Sequence, residues 1–302
     1  MTQRDAFFNR LYEIARDDRD VVLVTADCGA PSLDQWRLDI PSQFYNCGIC
    51  EQNMIGLAAG LALEGKKPYC YAIAPFATLR CLEQIKVNLC TVPRPVTVVG
   101  VGAGWSYDLS GPTHHATEDL GVMRMLPNLT IWNPSDNRTA EILADSTYNL
   151  PGPAYVRLDR KQLPETGLEG DIDDGFWLSR EMVPQDQRAL LVATGNMVHT
   201  ALEIAPKLNA TVIDLFQIKP VPIRFIEYLK TTPSGDPVVT LEEHMEYGGI
   251  GSIVADIMAD KGLDLNLQRI GIPDLYSFHY GGRAVMQMKH RIDAESILER
   301  LR

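Results

Sequence analysis

Asn46-Cys47-Gly48-Ile49-Cys50-Glu51-Gln52-Asn53-Met54-Ile55-Gly56-Leu57-Ala58-Ala59-Gly60-Leu61 sets one carboxylate, Glu51, where a glycine-bearing turn runs into a helix. The remaining helical positions are almost entirely apolar. Burial beside Met54, Ile55 and Leu57 raises the pKa of an acid unless a polar group meets it, and a raised pKa suits proton transfer. A bound heterocycle with a ring nitrogen is a fitting partner. The plain alternative is a first-turn acid favoured by the helix dipole and open to water.

Outward from this helix, strands and helices alternate. On its N-terminal side lie a helical stretch near Phe7 to Arg16 and the continuous β-branched run Val21–Thr25, which reads as a strand buried on both faces. On its C-terminal side, Lys67–Ile73 reads as a strand, Leu79–Leu89 as a helix and Pro95–Gly100 as a further buried strand. Within the helix, Gly56 and Gly60 permit close approach of a neighbouring backbone. The glycines at 100, 102 and 104 suggest a dinucleotide loop, but Trp105 stands where that fingerprint needs glycine and no helix opens there, so a nicotinamide dehydrogenase is a weak reading. Strand Leu129–Trp132, helix Arg138–Tyr148 and strand Ala154–Leu158 complete the first set. The alternation implies a doubly wound α/β domain with a parallel sheet over residues 1–164.

Residues 165–185 lack periodicity and are rich in acids and glycine, which is linker chemistry. A second α/β domain follows over 186–302, with strands Ala189–Ala193, Thr211–Leu215, Pro237–Leu241 and Arg269–Ile272. Its helices read as His199–Leu208, Ile223–Lys230, one running to about Lys261, and Ala294–Leu301. Glu243 and His244 end the third of these strands, where open sheets place ligands. Pinning the glycine-rich turn after them, or lining a subunit contact, is the favoured role.

At 302 residues the chain has room for two domains, each with its own core. Its 28 basic and 39 acidic residues give a net charge of -11, a surface that repels nucleic acid and anionic membranes. No apolar run approaches the roughly 20 residues of a membrane span, and Met1 to Arg10 carries no signal-peptide pattern, so a cytoplasmic protein is expected. All six cysteines lie in the first third, unlike a secreted disulfide framework. Cys47 and Cys50 form half of a zinc site that no second pair completes, so no metal site is expected on this chain.

The loop Ser110-Gly111-Pro112-Thr113-His114-His115-Ala116-Thr117-Glu118-Asp119 gathers two histidines and two acids between scaffold elements, a usual place for function. Thr117 is expected to cap a helix through Met125, with Glu118 and Asp119 as its first-turn acids. That leaves His114 without a structural task.

Taken together, Gly48-Ile49-Cys50-Glu51-Gln52, Ala74-Pro75-Phe76, Gly111-Pro112-Thr113-His114, Leu126-Pro127-Asn128, Pro134-Ser135-Asp136 and Arg160 before Leu163-Pro164 resemble the transketolase family of thiamine diphosphate enzymes. The resemblance runs from about residue 5 to 300 and corresponds to the pyrimidine-binding and C-terminal domains. It implies that Glu51 hydrogen-bonds N1′ of the coenzyme's aminopyrimidine, favouring the imino tautomer that deprotonates thiazolium C2. It further implies that Phe76 stacks on the pyrimidine, that His114 meets substrate oxygens, and that Arg160 binds a sugar phosphate. Ile73 stands where many relatives have a second stacking aromatic, which thins that wall of the cofactor site.

Two departures concern the substrate: Ser110 replaces an aspartate before Gly-Pro-Thr-His, and Gly102 stands near an expected histidine. The family's Gly-Asp-Gly motif for Mg²⁺ and diphosphate is absent from the sequence. The resemblance therefore implies an N-terminal transketolase subunit as partner in an α2β2 assembly, with the Mg²⁺ ligands on that partner. The expected activity is transfer of a two-carbon ketol unit from a ketose to an aldehyde. The alternatives are a 2-oxoacid-decarboxylating or deoxyxylulose-phosphate synthase-like subunit, and a non-catalytic scaffold.

Overall fold

The structure, a computed structural model, describes residues 1–179 and 189–301. Residues 180–185 of the expected linker and 186–188 of the expected second domain lie outside the described residues.

The strands in chain order are β1 (Val21–Thr25), β2 (Phe44–Asn46), β3 (Lys67–Ile73), β4 (Thr97–Val101), β5 (Thr130–Trp132), β6 (Ala154–Leu158), β7 (Trp177–Leu178), β8 (Ala189–Ala193), β9 (Ala210–Asp214), β10 (Gln217–Lys219), β11 (Pro237–Met245) and β12 (Asn266–Ile272). They build a seven-stranded sheet, β10-β5-β6-β4-β3-β1-β2, and a five-stranded sheet, β12-β11-β8-β9-β7. Every strand pairing is parallel except two, each at one edge of its sheet: β10 on β5 and β7 on β9. The two mainly parallel α/β sheets expected from sequence are thus present.

β1, β4 and β6 are buried at every position, as strands between two helical layers must be. On one face of the larger sheet, helix Gln3–Asp17 packs against Asn137–Tyr148. The second of these is capped by Asp136, whose side chain accepts from Thr139 N–H at 2.8 Å. On the other face, helix Glu51–Leu63 lies on β3.

Three local expectations change. The Leu79–Leu89 segment is helical but broken into short turns, ending in wide turns over Ile85–Cys90 where Thr91 N–H reaches back to Lys86 O at 2.9 Å. Thr117 caps no helix: the helix is Asp119–Arg124, and the Thr117 hydroxyl donates to Glu118 at 2.7 Å. Thr117 is buried, and its carbonyl accepts Met245 N–H at 2.7 Å, which ties it to β11 instead of to a helix end. Asp119 does stand in the first turn of that helix, as expected, and it is fully buried, taking Arg157 Nε at 2.9 Å and the Tyr155 hydroxyl at 2.6 Å. Within the linker, Phe176 and Trp177 are buried and β7 joins the smaller sheet. Among the described residues no helix is long and apolar enough to cross a membrane.

Candidate functional site

The loops that follow β1, β3, β4 and β6 open at the carboxyl edge of the larger sheet, the edge where such sheets hold ligands. After β4, the backbone N–H of Gly102 donates to Leu158 O at 2.8 Å, and Gly104 and Ala116 exchange two hydrogen bonds of 3.0 Å. The segment between them is a loop closed at its base, and it carries Tyr107, Ser110 and His114.

Glu51 begins helix Glu51–Leu63 and is only 4% exposed. Its burial answers the question the sequence leaves open, and its polar partner in this chain is a residue that no sequence motif marks. Arg80 Nη1 lies 2.8 Å from Glu51 Oε2. The same guanidinium sits over the Phe76 ring, 4.1 Å from its centroid. Phe76 meets His114 edge-on with ring centroids 5.1 Å apart. His114 lies 5.7 Å from the Tyr107 ring, and Tyr107 carries Arg160 at 4.6 Å. Glu51, Phe76, His114 and Arg160, expected to share a site, are thereby joined through Arg80 and Tyr107.

Arg80 has one signal in the sequence, its spacing of four residues after Phe76, which brings side chains together on helical backbone. Tyr107 has none of its own. Its place is made by Gly102, where φ is 112° and a Cβ would stand 2.5 Å from the Tyr107 ring. The ring therefore covers position 102. Ser110 is exposed on the loop, and its backbone N–H donates to Tyr107 O at 3.0 Å. Ile73 is half-buried at the end of β3, immediately before the short Ala74–Ala77 helix that presents Phe76.

Electrostatics favour a neutral imidazole at His114. Burial first, and the Arg80 charge second, hold its pKa below the usual histidine value. Thr113 Oγ1 lies 3.0 Å from its Nδ1. The neighbouring His115 is buried, and neither ring nitrogen has a protein partner. Burial again lowers its pKa. Cys50 donates to Cys47 O at 2.6 Å, and burial, then the Cys50 neighbour, push the Cys47 thiol up to about 11. Cys47 is thus a thiol near neutral pH, not the thiolate that redox or metal chemistry uses. Among the described residues no group of three or more His, Cys, Asp or Glu side chains could hold a metal ion.

The pinning of the glycine-rich turn expected of Glu243 and His244 falls instead to their neighbour on β11, Glu242. Glu242 accepts Ile250 N–H at 2.8 Å and Gly251 N–H at 3.0 Å, pinning the glycine-rich turn. His244 Nε2 accepts Gly121 N–H at 3.1 Å.

Fold and site together define a two-sheet α/β protein whose ligand edge joins a buried acid to aromatic and cationic side chains. Residues 1–166 match the family model for the transketolase pyrimidine binding domain, and residues 180–297 that for the transketolase C-terminal domain. The chain belongs to the transketolase family, whose coenzyme is thiamine diphosphate. It is 34% identical over 301 residues to one of the subunits of the apulose-4-phosphate transketolase of Phocaeicola vulgatus, covering 97% of this chain and 94% of that relative. It is 30% identical over 294 residues to the 1-deoxy-D-xylulose-5-phosphate synthase of Neisseria gonorrhoeae, covering 95% of this chain but 44% of that enzyme. The solved structure of a split gene transketolase, described as an inactive beta4 tetramer, superposes with a TM-score of 0.86 at 28% identity, covering 99% of this chain and 96% of that one. The chain thus has the extent of a transketolase-family subunit.

Proposed function

We propose that this chain is the C-terminal subunit of a heteromeric transketolase that moves a two-carbon ketol unit from a ketose donor, phosphorylated or not, to an aldehyde acceptor. The observation that carries this reading is Glu51: a carboxylate 4% exposed, at the mouth of a helix, within one arginine of the Phe76 ring. That arrangement suits the pyrimidine half of thiamine diphosphate, which needs an acid for a ring nitrogen and a flat apolar wall. When bound, the coenzyme supplies the carbanion chemistry of the reaction.

Glu51 holds and exchanges a proton at the pyrimidine nitrogen in this reading. Phe76 forms one ring wall and Ile73 a thinner one. His114, neutral and half-buried, offers a donor or acceptor to substrate oxygens. Arg160 is exposed on the Tyr107 ring, where its fork can take a phosphate. Ser110 and the covered Gly102 leave the sugar-hydroxyl side less acidic and less basic than in the best-known relatives.

The diphosphate and Mg²⁺ are assigned to a separate N-terminal subunit in an α2β2 complex, because the sequence lacks Gly-Asp-Gly. A surface for that subunit is available on helix Glu51–Leu63, where Gly56 and Gly60 have no atoms of this chain within 4 Å of a would-be Cβ and Leu57 and Leu63 are exposed. The division into domains 1–164 and 186–302 and a cytoplasmic location belong to the same reading.

Replacing Glu51 by Gln in the assembled complex is expected to lower ketol transfer by about 100-fold or more while leaving assembly intact. Unchanged turnover would overturn the assignment. The likeness to the Neisseria synthase favours one second reading, a 2-oxoacid donor. Carbon dioxide release from a 2-oxoacid by the complex distinguishes it.

A further inference from the structure

Glu243 lies on the smaller sheet, yet its hydrogen bonds reach into the loop that carries His114. The carboxylate is 2% exposed. Its Oε1 accepts the backbone N–H of Trp105 at 2.7 Å. A Cβ at Gly104 would stand 2.2 Å from the same oxygen, so the acid rests directly on the loop backbone. From its own half of the chain, Glu243 takes Gln287 Nε2 at 2.7 Å and Asn196 Nδ2 at 3.2 Å. Arg283 Nε lies 2.9 and 3.0 Å from its two oxygens.

Arg283 continues the connection. Its Nη2 forms an ion pair with Asp159 at 2.7 Å, and its backbone N–H donates to Asp108 Oδ2 at 3.2 Å. Asp108 Oδ1 also takes Lys161 Nζ at 2.9 Å. Two residues of the second half therefore grip the first half, by their side chains at Trp105 and Asp159 and by the Arg283 backbone N–H at Asp108. Trp105 and Asp108 bracket Tyr107, and Asp159 precedes Arg160, which rests on the Tyr107 ring.

We propose that Glu243 and Arg283 are positioning residues that set the substrate-facing rim formed by Tyr107, His114 and Arg160. The task of the second domain at this site is then to fix the loop between Gly102 and Ala116, not to touch substrate. Burial decides what this pair contributes. A buried acid–arginine pair contributes little net stability over apolar packing, but it demands one geometry, and a backbone N–H bonded to a charged acceptor holds its segment firmly. Binding groups already held where the substrate needs them spare the cost of ordering them on binding, so a rim that must stay put gains donor affinity from such a clamp.

The substrate part of this inference rests on the function proposed above; the clamp itself does not. Hydrogen exchange on the isolated chain tests the clamp directly. Glu243→Gln keeps the shape and one acceptor but removes the charge. It is expected to speed amide exchange over residues 102–116 by about tenfold or more while β1 and β8 stay protected. Equal exchange in loop and strands, whether unchanged or raised throughout, would overturn the clamp. Arg283→Lys, which keeps the charge and loses the fork, is a second variant and should loosen the same loop. In the assembled complex, Glu243→Gln is expected to raise the donor KM about tenfold or more, with kcat altered by less than about threefold and thiamine diphosphate affinity unchanged. A loosened loop with an unaltered donor KM would overturn the link to substrate. A wild-type complex without ketol transfer would sink the proposed function and leave exchange to decide the clamp.

Discussion

Arg80 stands between the acid and the rings, and three effects meet on its one guanidinium. It pairs with Glu51, covers Phe76, and adds positive charge near His114. Removing that charge with Arg80→Met should raise the His114 pKa toward the ordinary histidine value without reaching it, because burial is the larger cause of the depression. A proton NMR titration of the His114 ring checks this, and an unmoved titration curve would show that the two do not communicate. Among the candidate site residues, Glu51, Phe76 and His114 stand in short motifs and are legible in the sequence for that reason. Arg80 offers only its spacing from Phe76, which says nothing of Glu51, and Tyr107 offers no signal because its partners lie elsewhere in the chain. The depth of Glu51 is likewise out of reach of its helical position alone, since first-turn acids are favoured by the dipole wherever they lie.

At the level of the element, β11 carries three buried ionisable groups, two of which, Glu242 and His244, respond to pH in opposite senses. Burial pushes Glu242 up to about 7 against the backbone donors that favour its charge, and burial pushes His244 down to about 4. For Glu242 the folded state binds its proton more tightly than the unfolded state, so its stabilising contribution is complete below the unfolded carboxyl pKa and is lost as pH rises through about 7. For His244 the contribution is complete above the unfolded histidine pKa and is lost as pH falls toward about 4. Urea unfolding of Glu242→Gln beside the parent near pH 5 and near pH 8 separates them. The parent should lose stability relative to the variant as pH rises, and a constant difference would refute the assignment. Elements of this kind are legible when their composition reflects two-sided burial, as in Val21–Thr25 and Ala189–Ala193. Phe44–Asn46 and Gln217–Lys219 are three-residue edge strands with a neighbour on one side only, and nothing in so short a run announces them. Thr117 misleads for the opposite reason: the capping chemistry is present, but tertiary contact with β11 claims the residue first.

For the whole molecule, helix Glu51–Leu63 is apolar around its circumference, although only part of that surface is buried within the chain. Gly60→Leu meets no atom of this chain within 4 Å of its Cβ. The isolated variant should therefore melt no lower than the parent, since glycine is a poor helix former. Association with the proposed N-terminal subunit, followed by size-exclusion chromatography or calorimetry, should be lost. Retained association would mean that the partner docks elsewhere. The two halves of the chain are also interwoven in a way that their separate family matches conceal. β10 belongs to the second half by position but lies antiparallel on β5, at the margin of the larger sheet. Recombination that exchanged one half for a foreign one would strip Thr130–Trp132 of this cover and leave a bare strand free to pair with another molecule. The seam between the two halves is consequently a poor place to cut.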